Sequence, residues 1–414
     1  MKKNAGIFCL VLILFSATHV YSLSKEQVLI VYDNDNAVSR SIAEYYRTQR
    51  GIDSDQMLGL TNLTTYDFGE RMVHSDYLVQ VEQPVVNKVN QLDTAGKDIQ
   101  SIVLMHGMPW KVNDQVAFNP SSSPTSRWAS LDSELTVAGL TSGSTPLSGT
   151  PGQLLNPYSV FGFNGVNFTI KSTLPGSFDR SSYADMFLVT RIQGPTAQSA
   201  RDLIDRAIEA EHNGVLAKEF VSVLDKNPAI SDAVTNGAIE LAHDFLVAEG
   251  FNAVLETTSN LYANPPSGAQ EDTFFYWGWR DGFPQDYPGH DVYNFMPGSV
   301  GVHVTSESTY VLAGDWLRNL ILDGVTATQF GIQEPFSLGF SDPFFFLLYY
   351  LNGYSFAEAI TASNRFLSWQ IVNIGDPLLT LNLIEPASVP EPLTLISFSF
   401  LTVLGWARYR LRKK

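Results

Sequence analysis

Ser306 closes the alternating stretch Val302-His303-Val304-Thr305-Ser306. A serine hydroxyl attacks a substrate only when a base lies beside it. Two imidazoles could serve. His303 shares the stretch, and His290 lies in the polar run from Asp281 to Asn294, flanked by Asp286 and Asp291. These side chains can be drawn as a hydroxyl–imidazole–carboxylate relay or, through His290, Asp286 and Asp291, as a cation site. His303, set between valines, also reads as a packed residue of a strand.

Other residues offer binding chemistry. His106 follows the apolar run Ser101 to Met105, where open α/β sheets take up ligands, although Gly107 and Pro109 equally fit a plain turn. Asp132 and Glu134 stand two apart in Leu131-Asp132-Ser133-Glu134-Leu135. On an extended segment they face one way, as paired carboxylates or ligands for calcium; a hydrogen-bonded cap is the alternative. Asp33 and Asp35, in Asp33-Asn34-Asp35-Asn36, pose the same choice between capping a helix and holding a cation. Arg191 could receive a carboxylate ligand, but a buried guanidinium demands a partner, and Asp376 near the end of the folded body is the expected one. Glu334, before Pro335, ends another strand and joins the same expected crevice. Trp277-Gly278-Trp279 could stack on a sugar or fill the core.

The elements that position these residues alternate. Gln27 to Tyr32 and Ser101 to Met105 are nearly unbroken apolar runs, the pattern of strands buried on both faces. Between them Val38, Ile42 and Tyr46 recur at helical spacing until Gly51. A helix is expected from about Ser75 to Leu92. From 111 to 182 serine, threonine, glycine and proline dominate, predicting a long loop insertion. Strands are expected at Ala184 to Thr190, Glu219 to Leu224, Asn252 to Glu256, Thr273 to Trp277, Ser299 to Thr305 and Val325 to Phe330. Helices are expected after Pro195, after a Ser231 cap with Val234, Ala238, Leu241 and Phe245 on one face, near Leu312 to Leu322, and at Pro343 to Leu351 and Phe356 to Ser363. This alternation predicts an α/β fold with a mainly parallel sheet and helices on both faces. No nucleotide-binding glycine spacing follows any strand, and no repeat of fixed period appears.

Composition narrows the setting. The net charge of −16 sets the chain against nucleic acid and anionic lipid. The single cysteine, Cys9, lies in the apolar run Ile7 to Ala17 behind Lys2 and Lys3. With Val20-Tyr21-Ser22 offering small residues for cleavage, residues 1–22 read as a signal peptide. The mature chain then carries no thiol, which excludes disulfides, thiolate metal sites and cysteine nucleophiles. At the other end, Val389-Pro390-Glu391-Pro392 precedes the apolar run 393–406 and a basic end of Arg408, Arg410, Arg412, Lys413 and Lys414. Those 14 residues reach about 21 Å as a helix, against a hydrocarbon core of about 30 Å. Such a segment suits brief contact with a membrane, its basic end held in the cytoplasm.

That arrangement, over 387–414, resembles the PEP-CTERM sorting signal that exosortases handle in exopolysaccharide-producing Gram-negative bacteria. The resemblance implies export through a translocase, trimming by signal peptidase at the front and exosortase at the back, transient anchoring in the inner membrane, and a final place in the cell envelope or outside the cell. Within the body, 23–386, Tyr183 to Ile192 and Gly375-Asp376-Pro377 resemble the gingipain type of caspase-like peptidase. Tyr276-Trp277-Gly278-Trp279 falls where that family places its catalytic imidazole, and Val304-Thr305-Ser306 where its cysteine follows a strand. Indole and hydroxyl replace imidazole and thiol, so the resemblance implies the fold without the peptidase dyad. Ser130 to Leu135, Gly278-Trp279, Gln333 to Phe336 and Trp369 to Leu378 resemble an uncharacterised family of exported proteins from exosortase-bearing bacteria. The expectation is an exported binding or structural protein; the alternatives are a hydrolase using Ser306 and His290 or His303, and Ca2+ binding by the acidic loops.

Overall fold

The computed structural model describes residues 22–113, 128–139, 186–227, 232–257, 272–279, 293–306 and 315–384, with short pieces between 141 and 170. Its centre is a ten-stranded sheet. In chain order the strands are β1 Val28–Asp33, β2 Met57–Leu60, β3 Ser101–Met105, β4 Leu188–Ile192, β5 Val221–Asp225, β6 Asn252–Glu256, β7 Asp272–Trp279, β8 Asn294–Ser306, β9 Ala327–Gly331 and β10 Ile371–Ile374. Across the sheet they lie β6-β5-β7-β8-β9-β10-β4-β3-β1-β2.

Register shows two halves. β2, β1, β3 and β4 pair in parallel, with Ile30 opposite Met57 and Leu29 opposite Ile102. β6, β5, β7, β8 and β9 form a second parallel set. β10 joins them, parallel to β4 but antiparallel to β9. The halves therefore run in opposite directions, and their carboxyl ends open on opposite edges. Each half reverses its winding once, between β1 and β3 and between β5 and β7. Ligands of open α/β sheets bind at such reversals.

Helices cover both faces. α1 Ala37–Arg50, α4 Ala197–Asn213, α5 Ala233–Ala248, α7 Pro343–Tyr350 and α8 Phe356–Ser363 share one apolar cluster that spans both halves. On the reverse face, α2 Gln83–Thr94 and α3 Leu131–Thr136 cover the first half, and α6 Asp315–Leu322 covers the second. Burial on both faces explains the apolar runs: Val28 and Ile30 point into one cluster, Leu29 and Val31 into the other. α1 begins where Asn36 accepts from the N–H groups of Val38 and Ser39 and ends at Gly51 in left-handed conformation, φ 62°.

Several expectations need correction. The helix expected from Ser75 to Leu92 runs unbroken from His74 to Thr94, but it is not uniform: a π-helical turn, Leu78–Glu82, joins the first turn, His74–Tyr77, to α2. The stretch from 111 is not all surface loop. Lys111–Asn113 and Trp128–Ser130 are buried strands of a side sheet with Arg71–Val73. The segment Leu131–Thr136 is helical, with Ser130 as its cap, rather than extended. α5 is capped by Asp232, and it buries Thr235, Ile239, Ala242 and Leu246. The expected face is one residue off: Val234 and Leu241 are exposed. No helix of the described residues is long and apolar enough to cross a membrane, and 393–406 lies outside them.

Candidate functional site

At the carboxyl edge of the first half, β3 runs into His106 and Gly107. Gly107 is left-handed, φ 92°, and a Cβ on it would meet the Asn36 amide nitrogen at 2.7 Å. Only glycine lets the β3 turn close against the start of α1. Gln193, just past β4, organises the edge. Its Oε1 accepts from the Gly107 N–H at 3.0 Å, which fixes its amide so that Nε2 faces His106 Nδ1 at 3.0 Å. Nδ1 must therefore accept, and the imidazole proton sits on Nε2. Burial, with Arg191 nearby, holds His106 below its ordinary pKa, so the ring is neutral near pH 7. The edge thus presents an uncharged, half-exposed imidazole with an oriented N–H donor. Asp33 and Asp35 serve the adjoining loop: Asp33 Oδ1 takes the Asp35 N–H at 2.9 Å and Asp35 Oδ2 the Asn62 N–H at 2.7 Å.

Behind this edge the expected charges are sealed. Arg191 is fully buried on β4 and meets Asp132 of α3, with Nε 2.9 Å from Oδ1 and Nη2 bonded to Oδ2. Nη2 also donates to the Pro109 carbonyl at 3.0 Å, and the guanidinium lies 4.1 Å above the Trp110 ring. The expected Arg191–Asp376 lock is not formed. Asp376 instead accepts from Arg50 Nε at 2.6 Å and the Tyr46 hydroxyl at 2.8 Å, while Arg50 also grips Glu211 at 2.6 and 2.7 Å. The pairing differs from the expected one because α3 is helical and packs against β4. As a helix it turns Asp132 and Glu134 about 200° apart, so they do not face one way. Glu134 turns instead to Ser368.

The second half's edge is built differently. Gly278 lets β7 pass Asp225, since a Cβ there would lie 2.6 Å from the Asp225 Cβ. Trp279, still within β7 and buried, donates its indole N–H to Asn236 of α5 at 2.9 Å. Asn236 also bonds the backbone of Asn227, past β5, at 2.9 and 3.1 Å. The β5/β7 reversal is thereby tied across by an indole and an amide. His303 is packed on the reverse face: its ring stacks on Trp316 with centroids 3.4 Å apart, and Nδ1 meets the Tyr276 hydroxyl at 2.9 Å. Ser306 ends β8, its backbone opposite Gly331. Glu334 is exposed beyond β9, its N–H held by Gln370 at 2.8 Å. The side chain of Ser306, together with His290, Asp286, Asp291 and Val389 to Pro392, lies outside the described residues. No group of three or more histidine, cysteine or carboxylate side chains among the described residues could hold a metal.

Sequence reasoning missed Gln193, Asn236 and Tyr276, the neutral groups that orient or tie the three rings. Nothing in local spacing marks them, because each acts across the sheet.

No protein-family model and no curated protein matches the sequence. Among solved structures the chain is similar to one described as "Structure of Protease", at 10% identity and TM-score 0.43, over 88% of this chain and 82% of that one. It is also similar to the Arg-specific cysteine proteinase gingipain R, at 11% identity and TM-score 0.39, over 87% and 80%. The complex of the Porphyromonas gingivalis RgpB pro- and mature domains gives 11% identity and TM-score 0.40, over 87% and 81%.

Proposed function

We propose that the chain is an exported envelope or matrix protein that binds its ligand without cleaving it, through the first half's carboxyl edge at His106. The observation that carries this reading is the Gln193 clamp, which holds a half-exposed, uncharged imidazole with its proton on Nε2 beside Gly107. A neutral donor of this kind suits a carbonyl or hydroxyl acceptor, as in a glycan or a peptide backbone, and asks for no charge on the ligand. The tied state of Trp279 and the stacking of His303 argue against acid–base work at the other edge.

Export rests on the two end segments. The body is consistent with cleavage near residue 22, because Leu23 already packs in the main core. Exosortase is then the partner that removes the tail at Val389 to Pro392, with the membrane touched only in transit.

The test is nitrogen-resolved NMR of the His106 ring while soluble oligosaccharides from a producing cell's matrix are added. The Nε2–H signal should shift on saturation, and His106→Phe should lose the binding. An unmoved His106 signal with retained binding would sink the proposal. Labelling by a serine-directed phosphonate, lost in Ser306→Ala, would replace it with the hydrolase reading. A mass of the mature protein unchanged in cells lacking exosortase would remove the sorting reading alone.

A further inference from the structure

Three buried oxygens on the reverse face of the first half have no hydrogen-bond partner: Tyr77 Oη, Glu82 Oε2 and Glu134 Oε2. Tyr77 and Glu134 are fully buried, Tyr77 within the cluster that includes Val81, Val85 and the α3 residues Leu131 and Leu135 on either side of Glu134 in sequence. The oxygens are close enough to act on one another, since Tyr77 feels both carboxyls and Glu134 feels Glu82. The Tyr77 hydroxyl lies against Glu82, yet no bond of ordinary geometry joins them.

Local structure brings them together. The π-helical turn Leu78–Glu82 closes with the Gln83 N–H on the Leu78 carbonyl. Winding of that kind sets residues five apart near one face, which aligns Glu82 with Tyr77; single π-turns recur at functional sites. Glu134 comes from α3, its other oxygen bonded to the Ser368 hydroxyl. Ser368 is in left-handed conformation, φ 48°.

We propose that Glu82, Glu134 and Tyr77 form a binding site for one hard divalent cation, with calcium the best fit. Two carboxylates balance its charge, and hard cations take carboxylate and hydroxyl oxygens with water completing the shell. No cationic side chain among the described residues acts on Glu134; the charge it faces is that of Glu82. A carboxyl pair sharing a proton would bond oxygen to oxygen, and these do not. Burial, joined by the charge of Glu82 and opposed by the Ser368 hydroxyl, lifts Glu134 to about 8, a cost that a cation removes. Glu82 is half-buried, which gives the ion a route from solvent.

The experiment is thermal unfolding of the full chain after chelator treatment, with calcium added, and manganese binding followed by electron paramagnetic resonance. At calcium near 100 times Kd, Tm should rise by about 2 to 5 °C, and manganese should bind at one site per chain. Glu134→Gln and Glu82→Gln, each nearly isosteric and each checked for native circular dichroism, should both lose the Tm rise and the manganese signal. A wild-type Tm that ignores both ions overturns the proposal. So does a rise that survives in both variants, which would place the ion elsewhere on this acidic chain.

Discussion

The two halves of the sheet each bury one nitrogen-bearing side chain against an aromatic ring on the reverse face, and they solve its needs in different ways. Arg191, always charged, lies over Trp110 and takes Asp132 as counter-ion with a carbonyl at its flank. His303 can be neutral. It lies on Trp316 and meets the Tyr276 hydroxyl, a neutral partner. A buried charge must carry an opposite charge with it, whereas a buried neutral ring asks only for neutral hydrogen-bond partners. The first half should therefore fail harder when its pair is broken.

That contrast can be broken experimentally. Asp132→Ala leaves the Arg191 guanidinium uncompensated and should cost about 3 to 5 kcal/mol in denaturant unfolding. Replacing both residues with apolar ones of similar volume should recover much of it. His303→Ala opens a gap beside Trp316 and removes the Tyr276 hydroxyl's contact with Nδ1; a loss of about 2 to 4 kcal/mol is expected. Equal losses for the two would dissolve the contrast. A third probe tests the acid on the first half's reverse face. Because burial raises Glu134 to about 8 from 4.5, the folded state without cation binds more protons than the unfolded one between those values. Its stability is then full below about pH 4.5 and falls as pH rises towards 8, by at most about 1.4 kcal/mol per pH unit. Glu134→Gln should flatten this slope in chelator-treated protein. Smallest are the helix caps, one per half: Asn36→Ala and Asp232→Ala should each cost about 1 kcal/mol, read from melting curves, and should not differ between halves.

Much of the scaffold was legible. β1 and β3 announced themselves as doubly buried runs, and α8 falls on the predicted Phe356–Ser363. Local patterns sufficed there because the burial is local. α5 misled because it is apolar on two faces: the visible stripe through Val234 and Leu241 is the exposed one, and the buried stripe begins at Thr235. The partners of Arg191 and Asp376 were illegible for a different reason. Asp132 lies 59 residues from Arg191, and Arg50 lies 326 from Asp376. Such pairs follow from which helix covers which strand. The composition of 111–182 hid a buried helix, since α3 needs only the short motif Leu131 to Thr136 and its Ser130 cap.

The seam strand β10 also bears on how the molecule is made. Its residues, Ile371 to Ile374, sit mid-sheet but are the last of the sheet strands to be synthesised. While the chain emerges amino end first, β4 and β9 each expose an open flank with no neighbour to complete it. Neither flank can be covered until nearly the whole body has appeared. A polypeptide built in this order stays incompletely assembled until almost all of its body is available, and it locks only when its final stretch arrives.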